Sequence, residues 1–194
     1  MSAVMQQDWI ACHRITVDEY YRMAEVGLLA PEARVELIDG VIIDMAPIGS
    51  PHNSAVDWLN RLLCTAVGER AIVRVQGAVH LSRSSEPQPD FALLRPRKDF
   101  YHAGHPSGPE TLLVIEVSDS TLRYDRQIKV PLFARHGVPE VWIVDLEHNQ
   151  LHFYRSLADG AYADVAFTAK PGVTAIAALP GVTVDLSRVF APSG

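Results

Sequence analysis

A single carboxylate interrupts one continuous apolar segment of the chain. Glu116 lies within Leu-Leu-Val-Ile-Glu-Val at 112–117, and the β-branched members of this run predict a strand buried on both faces of a sheet. A buried carboxylate is costly unless it is paired, hydrogen-bonded or bound to a cation. Asp90, preceded by Pro89, opens a second short apolar segment. Taken alone, either acid could be satisfied by a local hydrogen bond or turn.

The two acids together indicate more than either does alone. Acids on adjacent strands of one sheet can point the same way and share a divalent cation. Mg²⁺ takes oxygen ligands and keeps several waters, so two carboxylates and a backbone carbonyl are sufficient. Such a cation activates water and polarises a phosphoryl oxygen, which is the chemistry of phosphodiester hydrolysis.

Lys129 is the candidate cationic side chain for this chemistry. It follows Asp125 by four residues on a predicted helix, where a solvated ion pair between the two is one interpretation. The other is that Lys129 reaches the metal site and stabilises the attacking hydroxide or the charge developing on the phosphate.

Local signals predict the elements that would position these residues. The segment 16–26 begins with the spacing of a capping box and predicts a short helix. Asp39-Gly40 separates two apolar runs and predicts a β-hairpin. Apolar residues at helical spacing predict an amphipathic helix over 52–67.

The remainder of the chain alternates strands with one further helix. That helix is expected over 121–136, with Pro131 either kinking it or lying in its first turn, and 96–110 is expected to be an exposed loop. Strands are expected near 72–81, 90–94, 112–117, 140–145, 151–155, 162–168 and 182–186. The order predicts an α/β or α+β sandwich around a mixed sheet, which the two hairpins extend.

Composition and charge limit the number of domains and the classes of function that are expected. A chain of 194 residues with 48% hydrophobic and 21% charged residues is expected to form one globular domain over 1–194. The net charge of −6 argues against a protein that coats nucleic acid non-specifically, although it does not exclude an enzyme that acts on phosphodiesters. Residues 1–15 lack a long apolar run, so neither a signal peptide nor a membrane anchor is expected, and a cytoplasmic location follows. Cys12 and Cys64 form no metal-type pair and are expected to be reduced, buried thiols.

The order of these segments resembles the Uma2 family of the PD-(D/E)xK nuclease superfamily. The resemblance covers about 35–155, and its segments are VELIDGVIIDMAP, Pro51-His52, QPDFALL, LVIEVSDST, YDRQIKVPLFARHGVPEVWIVD and LHFYR. It implies a restriction-endonuclease-like core, helix–three strands–helix–strand around a mixed central sheet, with added β-hairpins. The N-terminal helix 16–26 and a β extension over 156–194 lie outside this match.

The resemblance also implies roles for individual residues. Asp90 and Glu116 would be the principal ligands of Mg²⁺ or Mn²⁺, and the carbonyl of Val117 a further one. Ser118 occupies the position at which most of the superfamily has its lysine, and Lys129 matches the lysine of the following helix that replaces it.

Three further polar residues match recurring positions of the family, each with a simpler alternative. Glu36 would bind the metal or orient its water, or else pair with Arg34 on a strand surface. His52 would lie near the metal, or else only begin a helix. Gln88 would lie near the metal, or else satisfy backbone groups at a strand edge.

The other histidines carry no known metal spacing, and no Gly-rich phosphate loop or zinc motif occurs. We expect five of them at the surface: His102, His105, His136, His148 and His152.

The favoured function is a metal-dependent endonuclease acting on nucleic acid, in particular DNA, as a homodimer and without a membrane partner. The alternative is a non-catalytic module that retains the nuclease fold and binds nucleic acid or protein. A basic surface would favour nucleic acid as the partner, and its candidate residues are Arg74, Arg83, Arg95, Arg97 and Lys98.

Overall fold

A computed structural model describes residues 12–30 and 32–190. Its helices are α1 (Val17–Glu25), α2 (Ser50–Val67), α3 (Leu122–Tyr124) and α4 (Val130–Arg135). Its strands are β1 (Val35–Ile38), β2 (Val41–Asp44), β3 (Ile72–Val75), β4 (Phe91–Leu94), β5 (Thr111–Ser118), β6 (Val141–Asp145), β7 (Gln150–Ala158), β8 (Ala161–Thr168), β9 (Val173–Ala175) and β10 (Thr183–Asp185).

Six strands form the central sheet, in the order β3-β4-β5-β6-β7-β8. Only β5 and β6 are parallel, and the other neighbouring pairs are antiparallel. The predicted mixed sheet and α/β class are therefore confirmed. The eight residues of β5 are all buried, as expected for a central strand covered on both faces.

Alternate residues of the central strands pack against different layers. One face, with Ile115, Val117 and Trp142, forms a core with the apolar side of α2. The other face, with Val114 and Ile143, packs against α4. Glu116 lies between Ile115 and Val117 in β5, so the strand alternation places it on the α4 face.

The helix predicted over 121–136 is interrupted by a π turn at Asp125–Lys129, between α3 and α4. Pro131 lies in the first turn of α4, one of the two placements expected for it. Turns of this kind occur mostly as single insertions in helices, frequently at functional sites. This one immediately precedes Pro131 and contains the candidate Lys129.

Two local sequence signals in the N-terminal part of the chain are confirmed, and both depend only on backbone geometry. The capping box at Thr16 and Glu19 begins α1, with both reciprocal hydrogen bonds formed. Asp39 and Gly40 have positive φ and connect β1 to β2.

Two expectations about strands are wrong, and one strand was not expected. The strand expected over 72–81 ends at Val75, because Gln76 has a φ of +48° and the chain leaves the sheet there. The β1–β2 hairpin forms a sheet of its own rather than extending the central one, whereas the β6–β7 hairpin does extend it. Strand β9 was not expected; it pairs with β10.

The C-terminal β extension contributes core residues rather than a separate layer. Ile176, Val184 and Leu186 join the apolar core beneath α2. Among the described residues, no helix is long and apolar enough to cross a membrane. Cys12 and Cys64 are free, as expected, but both are exposed rather than buried. The prediction about a signal peptide falls largely on residues 1–11, which lie outside the described part.

Candidate active site

Pairing of β4 with β5 brings Asp90 next to Glu116. The register joins Phe91 to Ile115, so the residue before β4 faces Glu116 across the strand pair. The backbone N–H of Val117 donates to Asp90 Oδ2 at 2.8 Å, which holds the Asp90 carboxylate against β5. The sheet therefore juxtaposes the two acids that the sequence singles out.

His52 holds the same oxygen from the opposite layer. It lies in the first turn of α2, and its Nε2 is 3.2 Å from Asp90 Oδ2. Both side chains are largely buried, with exposed fractions of 12% and 15%. His52 is thus in the site, as expected, and it contacts a proposed ligand rather than only starting a helix.

Lys129 and Glu36 complete the centre of the site. Lys129 Nζ lies 2.8 Å from Glu116 Oε1 and 3.3 Å from Glu36 Oε2, and all three side chains are nearly excluded from solvent. The solvated pair of Lys129 with Asp125 and the surface pair of Glu36 with Arg34 are therefore both wrong. Residues separated by more than ninety positions in the chain meet in one buried ion cluster.

The π turn explains how Lys129 reaches this cluster together with Tyr124. The Tyr124 hydroxyl donates to Glu36 Oε1 at 3.0 Å, so both side chains contact the same carboxylate. In a regular α-helix two residues five positions apart diverge by roughly 140° around the axis. The i→i+5 hydrogen bond from Val130 N–H to Asp125 carbonyl widens the turn and brings both side chains to one side.

Ser118 does not occupy the metal position; it anchors the π turn. Its hydroxyl donates to Asp125 Oδ2 at 2.7 Å, and the Thr121 hydroxyl donates to the same oxygen at 2.6 Å. Asp125 is itself buried, with 4% of its surface exposed. Ser118 therefore supports the segment that carries Lys129, instead of replacing the lysine chemically.

Gln88 contributes through its backbone more than its side chain. Its N–H donates to Glu36 Oε2 at 3.0 Å, whereas its side-chain amide donates to the carbonyl of Val35 at 3.3 Å. The backbone of Gln88 therefore positions Glu36, and its side chain satisfies a strand-edge carbonyl, which is the simpler of its two interpretations.

A cavity of about 710 Å³ opens beside this cluster. The cluster residues and His52 line its wall, together with three exposed residues, Arg34, Asp119 and Arg123. The cavity gives an extended ligand access to the buried acids.

The electrostatics of Asp90 and His52 favour the ionised carboxylate. Burial by itself would raise the pKa of Asp90, but the hydrogen bonds from His52 and Val117 and the charge of Lys129 outweigh it, so the pKa lies below the ordinary value. The hydrogen bond to Asp90 raises the pKa of His52 despite its burial. Asp90 is thus prepared as an anionic ligand.

Glu116 and Lys129 lie among an excess of acidic side chains. Burial raises the pKa of Glu116 well above its usual range, and the charges of Asp125, Asp90 and Glu36 add to that effect against Lys129. Burial opposes the charge of Lys129, but the surrounding carboxylates raise its pKa well above the ordinary value. Four acids surround one lysine, so the cluster has a deficit of positive charge.

Two observations bear on whether a divalent cation fits. Among residues 12–30 and 32–190, no three His, Cys, Asp or Glu side chains form a ready metal-binding group. However, Glu116 Oε1 is buried with no aligned hydrogen bond, although Lys129 lies in ion-pair contact with it. Carboxylate oxygens in excess over the nearby cations are the donor set that Mg²⁺ or Mn²⁺ prefers. The acids present therefore fit a hard divalent cation.

Sequence reasoning missed Tyr124 and Asp125 as members of the site. The spacing of Asp125 indicates only a surface partner of Lys129. The spacing of Tyr124 fits an exposed helix position as well as it fits a position in the site. His152 was also misplaced: it is buried, with 5% exposed, because β8 covers strand β7, which carries it. The remaining four histidines are exposed or partly exposed, as predicted.

Comparison with known proteins identifies the family and the fold of the chain. Residues 17–187 match the Uma2 family, whose description is "Putative restriction endonuclease". No curated protein matches the chain. Among solved structures, a putative nuclease belonging to DUF820 from Anabaena variabilis ATCC 29413 superimposes with a TM-score of 0.69 at 16% identity, covering 91% of this chain and 97% of that one. That likeness shows a shared fold, and the match over 17–187 shows that the chain belongs to the Uma2 family.

Proposed function

We propose that the protein is a metal-dependent endonuclease that hydrolyses phosphodiester bonds in DNA. The observation that carries the proposal is the buried cluster in which four carboxylates surround one lysine beside an open cavity. A structural ion pair would balance its charges, whereas this cluster has an unbalanced negative charge that a divalent cation would neutralise.

Asp90 and Glu116 would hold the cation, with the Val117 carbonyl as a third oxygen ligand. A bound Mg²⁺ or Mn²⁺ supplies an activated water and polarises a phosphoryl oxygen. His52 and the Val117 N–H fix the orientation of the Asp90 carboxylate, which reduces the cost of ordering it when a ligand binds. Glu36, held by Tyr124 and the Gln88 N–H, would orient the water.

In this proposal Lys129 supplies a fixed positive charge and does not act as a general base. Its pKa is raised well above the ordinary value, so it keeps its proton near neutral pH. A protonated ammonium within reach of Glu116 and Glu36 can stabilise the charge that develops on the phosphate oxygens. Burial and Glu36 likewise raise the pKa of Tyr124, so its hydroxyl remains a hydrogen-bond donor.

The test is cleavage of supercoiled plasmid and of short single-stranded DNA with Mg²⁺, with Mn²⁺ and with EDTA. We expect cutting by the parent with either metal, at least a hundredfold slower cutting by Asp90→Asn and Glu116→Gln, and none in EDTA. The exposed acid Asp57 on α2 supplies the matched control, Asp57→Asn, which should cut like the parent.

Metal binding by calorimetry separates the remaining outcomes. Metal binding without cleavage of either DNA would favour the non-catalytic binding module over the enzyme. Equal cleavage by the parent and Asp90→Asn would overturn the site itself. The expected homodimer remains a prediction, which the sedimentation of the protein with and without DNA would check.

A further inference from the structure

An exposed aromatic ring lies beside a buried one in the loop that follows β4. Phe100 has 68% of its surface exposed, whereas the adjacent Tyr101 has 4%. Phe100 is among the most exposed large apolar residues of the described chain, so burial contributes little to its energetics.

Tyr101 anchors this loop on the sheet. Its ring packs in a small core with Ala92 and Leu94 of β4, and its hydroxyl donates to the carbonyl of Arg95 at 2.9 Å. The guanidinium of Arg97 lies 4.3 Å from the centroid of the ring. Phe100 is therefore displayed from a fixed support and not from a loose loop.

The backbone at this pair is strained. Phe100 and Tyr101 both have positive φ, 49° and 60°, a region that bulky side chains seldom adopt. Burial of the ring compensates the strain at Tyr101, whereas the ring of Phe100 is exposed and only its backbone is hydrogen-bonded, to Arg97 and Arg74. Glycine or asparagine would adopt this conformation with less strain, so folding does not explain a phenylalanine here.

Three cationic residues flank Phe100, two in its own loop and one on the neighbouring strand β3. Arg95 and Lys98 are exposed on the same loop, and Arg74 of β3 has a guanidinium nitrogen 3.5 Å from the Phe100 carbonyl. Within the described residues no carboxylate lies within 4.0 Å of these three side chains, while Arg97 pairs with Asp99 and Glu110. Four cations against two acids give this patch a charge of about +2 in a chain whose net charge is −6. Arg83, also considered for a basic surface, lies apart from it, in the turn that contacts Val17.

The same two strands connect the patch to the candidate active site. Arg74 pairs with Ala92, two residues along β4 from Asp90. Gln76 lies two residues from Arg74, and its backbone N–H donates to the Asp90 carbonyl at 2.9 Å. A nucleic-acid strand that passes the acids could thus reach the patch within a few nucleotides.

We propose that Phe100, with Arg74, Arg95 and Lys98, is a docking surface for unpaired nucleic acid. The ring stacks on the face of one unpaired base, and the cations contact the flanking phosphates. Stacking of this kind tolerates any base because every base has a π face, and a duplex hides those faces in its own stack. A single exposed ring among cations suits this partner better than an apolar protein surface, which needs a larger contiguous patch. The choice of nucleic acid rests on the proposed function, whereas the binding itself needs no catalysis.

The test is fluorescence anisotropy in EDTA, with an oligothymidylate of about 15 nucleotides and with a duplex of the same length. We expect the parent to prefer the single strand and Phe100→Ala to weaken that binding roughly tenfold, with Phe100→Tyr close to the parent. Lys98→Gln should weaken binding less and should reduce its dependence on salt between about 50 and 200 mM.

Phe167→Ala is the matched control, because Phe167 is 69% exposed on the edge strand β8. It should bind the single strand as the parent does. Unchanged binding by Phe100→Ala, or an equal loss in Phe167→Ala, would overturn the docking surface; an equal loss for duplex and single strand would overturn its preference for unpaired bases. Asp90→Asn should bind normally in EDTA, so a failure of catalysis and a failure of docking give different results.

Discussion

Two buried glutamates in the central sheet have opposite environments. Glu140, directly before β6, is 0% exposed, and Glu116 in β5 is 4% exposed. Glu140 accepts hydrogen bonds from the Trp142 indole at 2.7 Å and from the Arg155 guanidinium on one oxygen, and from the Ala177 N–H at 2.8 Å on the other. Its charge and its lone pairs are satisfied within the protein.

Glu116 lacks such a set of donors. Its Oε1 has Lys129 as an ion-pair partner but no aligned hydrogen bond, and three other acids lie close enough to raise its pKa. Several acids share one lysine there, and burying a carboxylate whose charge is only partly compensated destabilises the folded protein. The comparison shows that the donors around a buried acid, and not its burial, separate a structural glutamate from a candidate functional one.

The largest effect is expected when Glu140, the structural glutamate of the two, is replaced. Glu140→Ala should lower the free energy of unfolding by about 3–5 kcal/mol, because it leaves the Arg155 charge, the Trp142 indole and the Ala177 N–H without their acceptor. Urea denaturation followed by tryptophan fluorescence measures this loss. Glu147→Ala, at an exposed turn, should change stability by less than about 0.5 kcal/mol. Comparable losses in the two variants would mean that Glu140 is not specially satisfied.

Adding a divalent cation tests the functional member of the pair. At a free Mg²⁺ concentration about ten times the dissociation constant, linkage predicts about 1.4 kcal/mol of added stability and a rise in Tm of roughly 3–6 °C. Thermal unfolding of the parent with Mg²⁺ and with EDTA measures it. Glu116→Gln should lose the rise and Asp57→Asn should keep it; a rise that survives in Glu116→Gln would place the cation elsewhere.

A smaller effect of opposite sign is expected for Glu116→Gln in EDTA. Burial and three neighbouring acids disfavour the charge of Glu116, and the new amide can donate to those acids, so the free energy of unfolding should rise by about 1 kcal/mol. The matched change Glu140→Gln should lower it instead, since an amide cannot serve the Arg155 guanidinium equally well. Two variants with the same sign of change would remove the distinction between the two glutamates.

The smallest effect concerns His152, a buried titratable group outside both clusters. Burial, helped by the charge of Arg126, lowers the pKa of His152 below its ordinary value. As the pH falls below about 6.5, His152 binds a proton in the unfolded chain before it does so in the folded protein. The stability of the folded protein is therefore complete above about pH 6.5 and decreases as the pH falls below that value. His152→Gln should unfold with a shallower dependence on pH between neutrality and mild acid. An unchanged slope would mean that His152 titrates normally in the folded protein.

Signals that depend on adjacent residues predicted the fold well. The capping box of α1 and the Asp39-Gly40 turn need only local backbone geometry, and the apolar run at 112–117 allowed only a buried strand. The end of β3 was missed because Val79 continues an apolar alternation after the chain has already left the sheet at Gln76. His152 was misplaced because an edge strand added later in the sequence covers it.

The residues of the candidate site also divide into those that the local sequence indicates and those that it does not. Asp90 and Glu116 could be chosen because each carboxylate interrupts or opens an apolar strand, and Lys129 was the candidate cation beside them. The resemblance to a family supplied Glu36 and His52. The spacing of Lys129 from Asp125 was equally consistent with a surface pair, and the π turn removed that ambiguity. Glu140 also adjoins an apolar strand, so sequence alone gave no means of separating it from Glu116.

The sequence by itself determined most of the strands, the mixed α/β class and the candidate acids, because burial patterns and turn propensities are properties of neighbouring residues. Only the tertiary structure decided which of those acids are satisfied. Hydrogen-bond donors to Glu140 come from β6, β7 and the C-terminal segment, while the acids around Glu116 come from β1, the start of β4 and the π turn. Charge balance in a buried site is set by groups far apart in the chain, and their distances exist only once the sheet has formed.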